Sequence, residues 1–170
     1  LRSATTANWP GKLDASVAGH LLAGETWRDA LRESREEIGI DVPEESVTVL
    51  GERREEHPDP AGGWNRELQG VHIALLDPAW GQFDAADQEA AGLVRIGLAQ
   101  GTELHGGKVD SITCDALIVD GRTVVHRRRT VTREDFIPRP GYYTRMHVIA
   151  ARLVRGEPRE KLVGAYEHDA

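Results

Sequence analysis

Residues 19–40 read GHLLAGETWRDALRESREEIGI, and this stretch decides the fold. Within it Trp27, Leu31, Ser34 and Ile38 recur at helical spacing, which predicts a helix over 26–38 with Gly39 as its stop. On that helix Glu33, Glu36 and Glu37 stand at i, i+3 and i+4, inside an arc of about 100°. Trp27, Leu31 and Ile38 point broadly the other way. One face is therefore buried, and the opposite face carries three carboxylates. Clustered like charges repel and raise one another's pKa unless a cation sits among them. Hard oxygen donors on a rigid helix suit Mg²⁺ or Mn²⁺, with water and phosphate oxygens completing the shell. Taken alone, Arg-Glu-x-x-Glu-Glu is more simply a solvated face in which Arg32 and Glu36 pair at i, i+4. The flanking residues decide between the two readings.

Upstream, residues 5–12 (TTANWPGK) form a loop with a Pro-Gly turn, and 13–17 (LDASV) suit a short strand. Downstream, 47–52 and 68–76 read as strands around a Pro- and Gly-rich loop at 57–63, and 93–96 as another short strand. Residues 116–125 form a hairpin with Asp120-Gly121 at its turn. The PRPG loop at 138–141 leads to a last helix, where Met146, Ile149, Ala150 and Leu153 make an apolar stripe ending before Gly156. No repeat or low-complexity tract interrupts the chain. Strands and helices alternate irregularly, which predicts a mixed α/β class.

The chain has 170 residues, of which 39% are hydrophobic and 29% charged, enough for one compact domain with a true core over 1–170. No apolar run approaches the roughly 18 residues of a membrane span, and no signal peptide is visible. A net charge of -7 argues against broad binding to nucleic acid or anionic lipid. It fits a soluble, cytoplasmic protein that collects divalent cations. The single cysteine, Cys114, excludes a disulfide framework and a multi-cysteine zinc site. The chain opens on Leu1-Arg2-Ser3 without an initiator methionine, as though a strand were already under way. A first strand missing here and supplied by a partner copy would make the protein a homodimer.

The 19–40 stretch resembles the Nudix box, which runs G, five residues, E, seven residues, then R-E-U-x-E-E-x-G-U with U aliphatic. Gly19 and Glu25 have the box separation, and Arg32, Glu33, Glu36, Glu37, Gly39 and Ile40 match its second half in order. Two positions depart. Six residues separate Glu25 from Arg32, and Ser34 stands where the box has an aliphatic residue. A deletion inside a helix rotates everything before it by about 100°, so the shortening is expected in the turn around Thr26 and Trp27.

The resemblance implies an α/β/α sandwich with a mixed sheet, and metal-dependent hydrolysis of a small-molecule diphosphate, a nucleoside diphosphate linked to another group. It implies Glu33, Glu36, Glu37 and the Gly19 carbonyl as ligands of Mg²⁺ or Mn²⁺. A metal so held would neutralise a diphosphate and acidify a bound water while a carboxylate takes its proton. Glu36 is one candidate for that step; Glu67, opening a strand, and Glu89, in the acidic loop DAADQEAAG, are candidates outside the box. For the latter two a plain solvent-facing glutamate is the simpler reading.

Over residues 2–96 the chain also looks like isopentenyl-diphosphate isomerase, a Nudix-fold relative, at Trp9-Pro10-Gly11 and Val17-Ala18-Gly19-His20. That pattern has a catalytic cysteine where this chain has Ala18, which can neither donate nor accept a proton. His20 matches a metal-binding histidine of that relative, and Arg2 a phosphate-contacting basic residue; a structural turn histidine is the other reading of His20. The HRRR run at 126–129 reads as a solvated edge. Trp64 is a candidate for stacking on a base near Asn65 and Glu67, against a core role at a loop–strand junction. Two alternatives to the hydrolase follow: an isomerase of isoprenyl diphosphates, which Ala18 disfavours, and a Nudix-like module that binds a nucleotide without chemistry.

Overall fold

Period-two patterning builds the larger sheet. Along β4 (Ser111–Asp120) Ile112, Cys114 and Ala116 alternate inward, and β4 sits between β3 (Gly92–Arg95) and β5 (Thr123–Thr132), both antiparallel to it. The computed structural model of the chain describes residues 1–58, 62–77, 82–84, 90–120 and 123–166. The β4–β5 register runs from Ser111–Thr132 to Asp120–Thr123, so the predicted hairpin extends well beyond 116–125; Gly121 lies outside the described residues.

The chain forms two compact units interleaved in sequence: Leu1–Asp41 with Asp77–Ala151, and Val42–Leu76 with Arg152–Ala170. The first holds the three-stranded sheet, α1 (Arg32–Ile38), α2 (Leu98–His105) and most of α3 (Tyr142–Val154). Its core joins Leu13, Leu104, Ile112, Cys114, Val131, Phe136 and Tyr143. Each large apolar side chain so buried contributes about 1.5–3 kcal/mol against solvent exposure. Of the strand predicted over 13–17, only Leu13 pairs, through a parallel bridge to Phe136: its N–H donates to Asp135 O (2.7 Å), and Ile137 N–H donates to its carbonyl (3.0 Å). That bridge supplies the parallel pairing in an otherwise antiparallel α/β fold.

α2 was not predicted, because Gly101 sits at its middle and its apolar face is short. Glycine inside a helix costs about 1 kcal/mol relative to alanine. Here it is required: a Cβ on Gly101 would stand 2.0 Å from His147 Nε2 on α3. α3 carries the predicted stripe, with Ile149 and Leu153 buried and Met146 and Ala150 half-buried.

In the second unit β1 (Val47–Pro58) and β2 (Trp64–Ala74) pair antiparallel from Val47–Ala74 to Pro58–Trp64. The register shifts between Val49 and Gly51, leaving Leu50 fully buried. β1 outruns the predicted 47–52, and β2 begins before the predicted 68–76 but ends short of it, at Ala74. The outer half of β1 is polar on both faces, and on β2 the apolar Trp64 and Leu68 share an exposed face with Arg66, so no buried apolar alternation marks them. Tyr166 N–H donates to Leu50 O (3.0 Å), and Leu162 and Tyr166 are buried in this unit.

Candidate functional site

The carboxylate helix is shorter than predicted. Thr26 opens the turn that precedes it, donating from its N–H and its hydroxyl to Asp29 Oδ2 (2.8 Å each), bonds that hold the Asp29 carboxyl below its usual pKa range. A 3₁₀ turn follows at Asp29–Leu31, and regular α-helix begins at Arg32. A 3₁₀ turn rises about 2.0 Å per residue against about 1.5 Å in an α-helix. The segment with one residue fewer than the box pattern is thus the tighter-wound one, and α1 itself is whole. Gly39 ends α1 in the left-handed region (φ 70°), as predicted.

Ser34, the polar residue at an aliphatic position, is buried and bonded. Its hydroxyl lies 2.7 Å from Leu31 O and 2.8 Å from Ile40 O, while Ile40 N–H donates to Ser34 O (3.3 Å). The hydroxyl therefore bridges the last turn of α1 to the chain that leaves it. With Ile38, it forms the buried face of the helix. Trp27 and Leu31 are only half-buried.

On the other side, two carboxylates converge on the Ala18-Gly19 dipeptide. Glu37 Oε2 accepts the Ala18 N–H (3.1 Å). Glu33 lies against Gly19 so closely that a Cβ there would stand 2.4 Å from Glu33 Cγ and 2.6 Å from Cδ. Arg32 does not pair with Glu36. Its guanidinium bridges Glu25 Oε1 (3.0 Å) and Glu33 Oε1 (3.2 Å), and Glu25 also accepts the Leu22 N–H (2.8 Å). Glu36 is exposed on the same turn. Among the described residues, no three His, Cys, Asp or Glu side chains gather closely enough to hold a metal ion. In chemical type the set fits a hard divalent cation: carboxylates one turn apart, one of them packed against a glycine that has no side chain to keep it away.

The remaining predicted residues fall elsewhere. Arg2 forms an antiparallel bridge with Ala90, and its Nε donates to Asn8 O (3.1 Å). His20 is exposed beside Gly19. Glu89 lies outside the described residues. In the second unit, Glu67 accepts from Asn65 Nδ2 on one oxygen (2.7 Å) and from Gln69 Nε2 on the other (2.6 Å), at the centre of a polar face of β2. Trp64 is 63% exposed, so it is not a core residue. Three positions from Glu67 on one strand, it projects from the opposite face. It therefore does not stand beside Asn65 and Glu67. Asp14 and Arg139, which drew no attention in the sequence, form a largely buried ion pair.

Residues 1–105 match the NUDIX domain profile. The chain belongs to the Nudix domain family. It is 27% identical over 136 residues to an uncharacterized Nudix hydrolase of Clostridium acetobutylicum, covering 79% of this chain and 66% of that protein. It is 45% identical over 78 residues to Nudix hydrolase 3 of Arabidopsis thaliana, covering 45% of this chain and 10% of that protein. The matched regions thus span just under two thirds of the first relative and a small part of the second. No solved structure matches. Among the described residues of this Nudix protein, no helix is long and apolar enough to cross a membrane.

Proposed function

We propose that this Nudix protein is a metal-dependent hydrolase that cleaves the diphosphate linkage of a nucleoside diphosphate joined to another group. The observation that carries the reading is the convergence of Glu33 and Glu37 on Ala18-Gly19. Glu33, Glu36, Glu37 and the Gly19 carbonyl would hold Mg²⁺ or Mn²⁺. Such an ion, when bound, neutralises diphosphate charge and lowers the pKa of a water molecule.

The chain's own groups supply position and proton transfer. Arg32 ties Glu33 to Glu25 and so fixes the carboxylate against the loop. Ser34 anchors the far end of the helix. Glu36, solvent-facing on the same turn, has a second carboxylate oxygen that would accept a proton from the attacking water while the first holds the ion. Arg2 offers a positive charge to a phosphate. We take residues 1–170 as one domain, because each compact unit is assembled from two separated stretches of chain.

The double pairing of Arg32 supports a second reading, a Nudix-like module that binds a nucleotide without turnover, since it satisfies Glu25 and Glu33 without an ion. A product screen over nucleoside diphosphates, sugar nucleotides and dinucleotides separates the two. With Mg²⁺ or Mn²⁺ the hydrolase releases phosphorylated products, and EDTA stops it. Tight binding with no product from any compound supports the module, and turnover undiminished by EDTA overturns the metal-dependent reading.

A further inference from the structure

The segment that meets the carboxylate helix is anchored from far along the chain. Residues 12, 13 and 14 are gripped in turn by the stretch 134–139, between β5 and α3. Lys12 Nζ donates to Glu134 O. Leu13 forms its parallel bridge with Phe136, both side chains being buried. The Asp14 carboxylate then pairs with Arg139, the two side chains being 9% and 14% exposed. The two stretches run in step as far as Asp14, and beyond it no strand continues.

Arg139 is a fixed post rather than a loose surface charge. Pro138 and Pro140 flank it and restrict the backbone on either side. Its carbonyl accepts the Tyr142 N–H (3.1 Å) at the entry to α3, and its guanidinium lies 5.7 Å from the Tyr142 ring.

Asp14 passes that position on. The oxygen that faces Arg139, Oδ1, also accepts the Ala15 N–H (2.8 Å), so the carboxylate sets the direction in which the chain leaves. Further along that short exit, Ala18 N–H donates to Glu37 Oε2 (3.1 Å) and Gly19 packs against Glu33. The NUDIX profile matches residues 1–105 and so does not reach the anchoring stretch.

We propose that Asp14 and Arg139 are positioning residues for the carboxylate site: held by 134–139, they set where Ala18 and Gly19 meet Glu37 and Glu33. What the site then does rests on the hydrolase reading; the placement itself does not. The chemistry of the pair suits position better than stability. Desolvation offsets most of the attraction in a buried ion pair, so an apolar pair of similar size replaces it at little cost. An apolar pair, however, offers no directional bond to the Ala15 N–H and no charge-assisted geometry to Arg139.

The test compares the intact wild type with Arg139→Met and with the double variant Asp14→Leu/Arg139→Met. Arg139→Met strands the Asp14 carboxylate and should lower Tm by about 10 °C. The double variant strands no charge and should recover most of that loss. Stability and position then part. With EDTA present, the Ala18 amide should exchange its hydrogen about tenfold faster in the double variant than in the wild type, read by NMR. Without EDTA, Mn²⁺ binding followed by electron paramagnetic resonance should weaken by about tenfold or more. A pair that merely stabilised the fold would restore Ala18 exchange together with Tm, and exchange at the wild-type rate in the double variant overturns the proposal. Arg139→Lys keeps the charge and with it the fold, so it answers the same question if the double variant does not fold; there too, unchanged Ala18 exchange overturns the proposal. A wild type that binds no Mn²⁺ counts against the hydrolase reading alone, because the exchange measurement needs no metal.

Discussion

Replacing Gly19 by alanine tests the contact on which the carboxylate centre depends. The new methyl would meet Glu33 Cγ at 2.4 Å and Cδ at 2.6 Å. Carbon atoms pack comfortably at about 3.5–4.0 Å, so Glu33 must retreat by about 1 Å. A displacement of that size at a reacting centre costs on the order of 100-fold in rate, or about 2.7 kcal/mol in the barrier. The fold should scarcely notice. Gly19 does not need a left-handed backbone, so alanine fits its main chain. The disturbed ion pair, Arg32 with Glu33, is partly exposed and contributes less than about 1 kcal/mol. Gly19→Ala is therefore expected to lose about 100-fold in kcat/KM with Mg²⁺ while its Tm moves by no more than about 4 °C. The reasoning fails if Gly19→Ala keeps more than a third of wild-type kcat/KM, or if its activity and melting temperature fall together.

Three further outcomes follow from the same geometry. Glu37→Gln keeps an acceptor for the Ala18 N–H but loses the charge; metal-dependent turnover should vanish with the circular dichroism spectrum unchanged. Ser34→Ala removes the hydroxyl that reaches Leu31 O and Ile40 O, and chemical denaturation should show a loss of about 1 kcal/mol. His105, lowered from 6.5 to about 4, binds its proton more readily in the unfolded chain, so stability holds above pH 6.5 and falls between there and about pH 4. The fall is at most about 3 kcal/mol, reduced by solvent screening of this incompletely buried ring, and a urea midpoint series should flatten in His105→Phe.

How much of this was legible in the sequence depends on whether a feature is local. The carboxylate helix, its Gly39 stop and the β4–β5 hairpin all rest on residues within a few positions of one another, and periodicity shows them. The start of the helix was misjudged because Thr26 and Asp29 bond to each other locally, and that competes with continuing the helix. α2 was hidden because the reason for Gly101 is His147, 46 residues away and invisible to any window. The outer halves of β1 and β2 were hidden for a different reason. Arg53 with Glu55, and Glu67 with Asn65 and Gln69, hold a strand face together through polar contacts, whereas the alternation rule looks for apolar ones. At the candidate site, the box pattern pointed to Glu33, Glu36 and Glu37, but the Asp14–Arg139 pair joins residues 125 positions apart and carried no sequence signal.

That pair matters for how the site is held. Between Asp14 and Gly19 the chain forms no strand and is mostly exposed, so no hydrogen-bonded ladder fixes its position. Side chains hold both ends instead: Asp14 pairs with Arg139, while Ala18 and Gly19 rest on Glu37 and Glu33. Five peptide steps separate Asp14 from Gly19, at most about 18 Å of chain. Desolvating an ion pair offsets most of its attraction, so Asp14–Arg139 adds little net stability. What it supplies is position, and breaking it by removing one partner leaves an expensive unpaired charge, which makes the arrangement close to all-or-none. The chain thus keeps two costly features within reach of one short segment: like charges on a single helical turn and a buried ion pair. Foldable sequences tolerate such local conflicts mainly where function requires them. Their concentration beside 14–19 is in keeping with the hydrolase site we propose there, whereas the arginines of β5 are ordinary edge-strand protection.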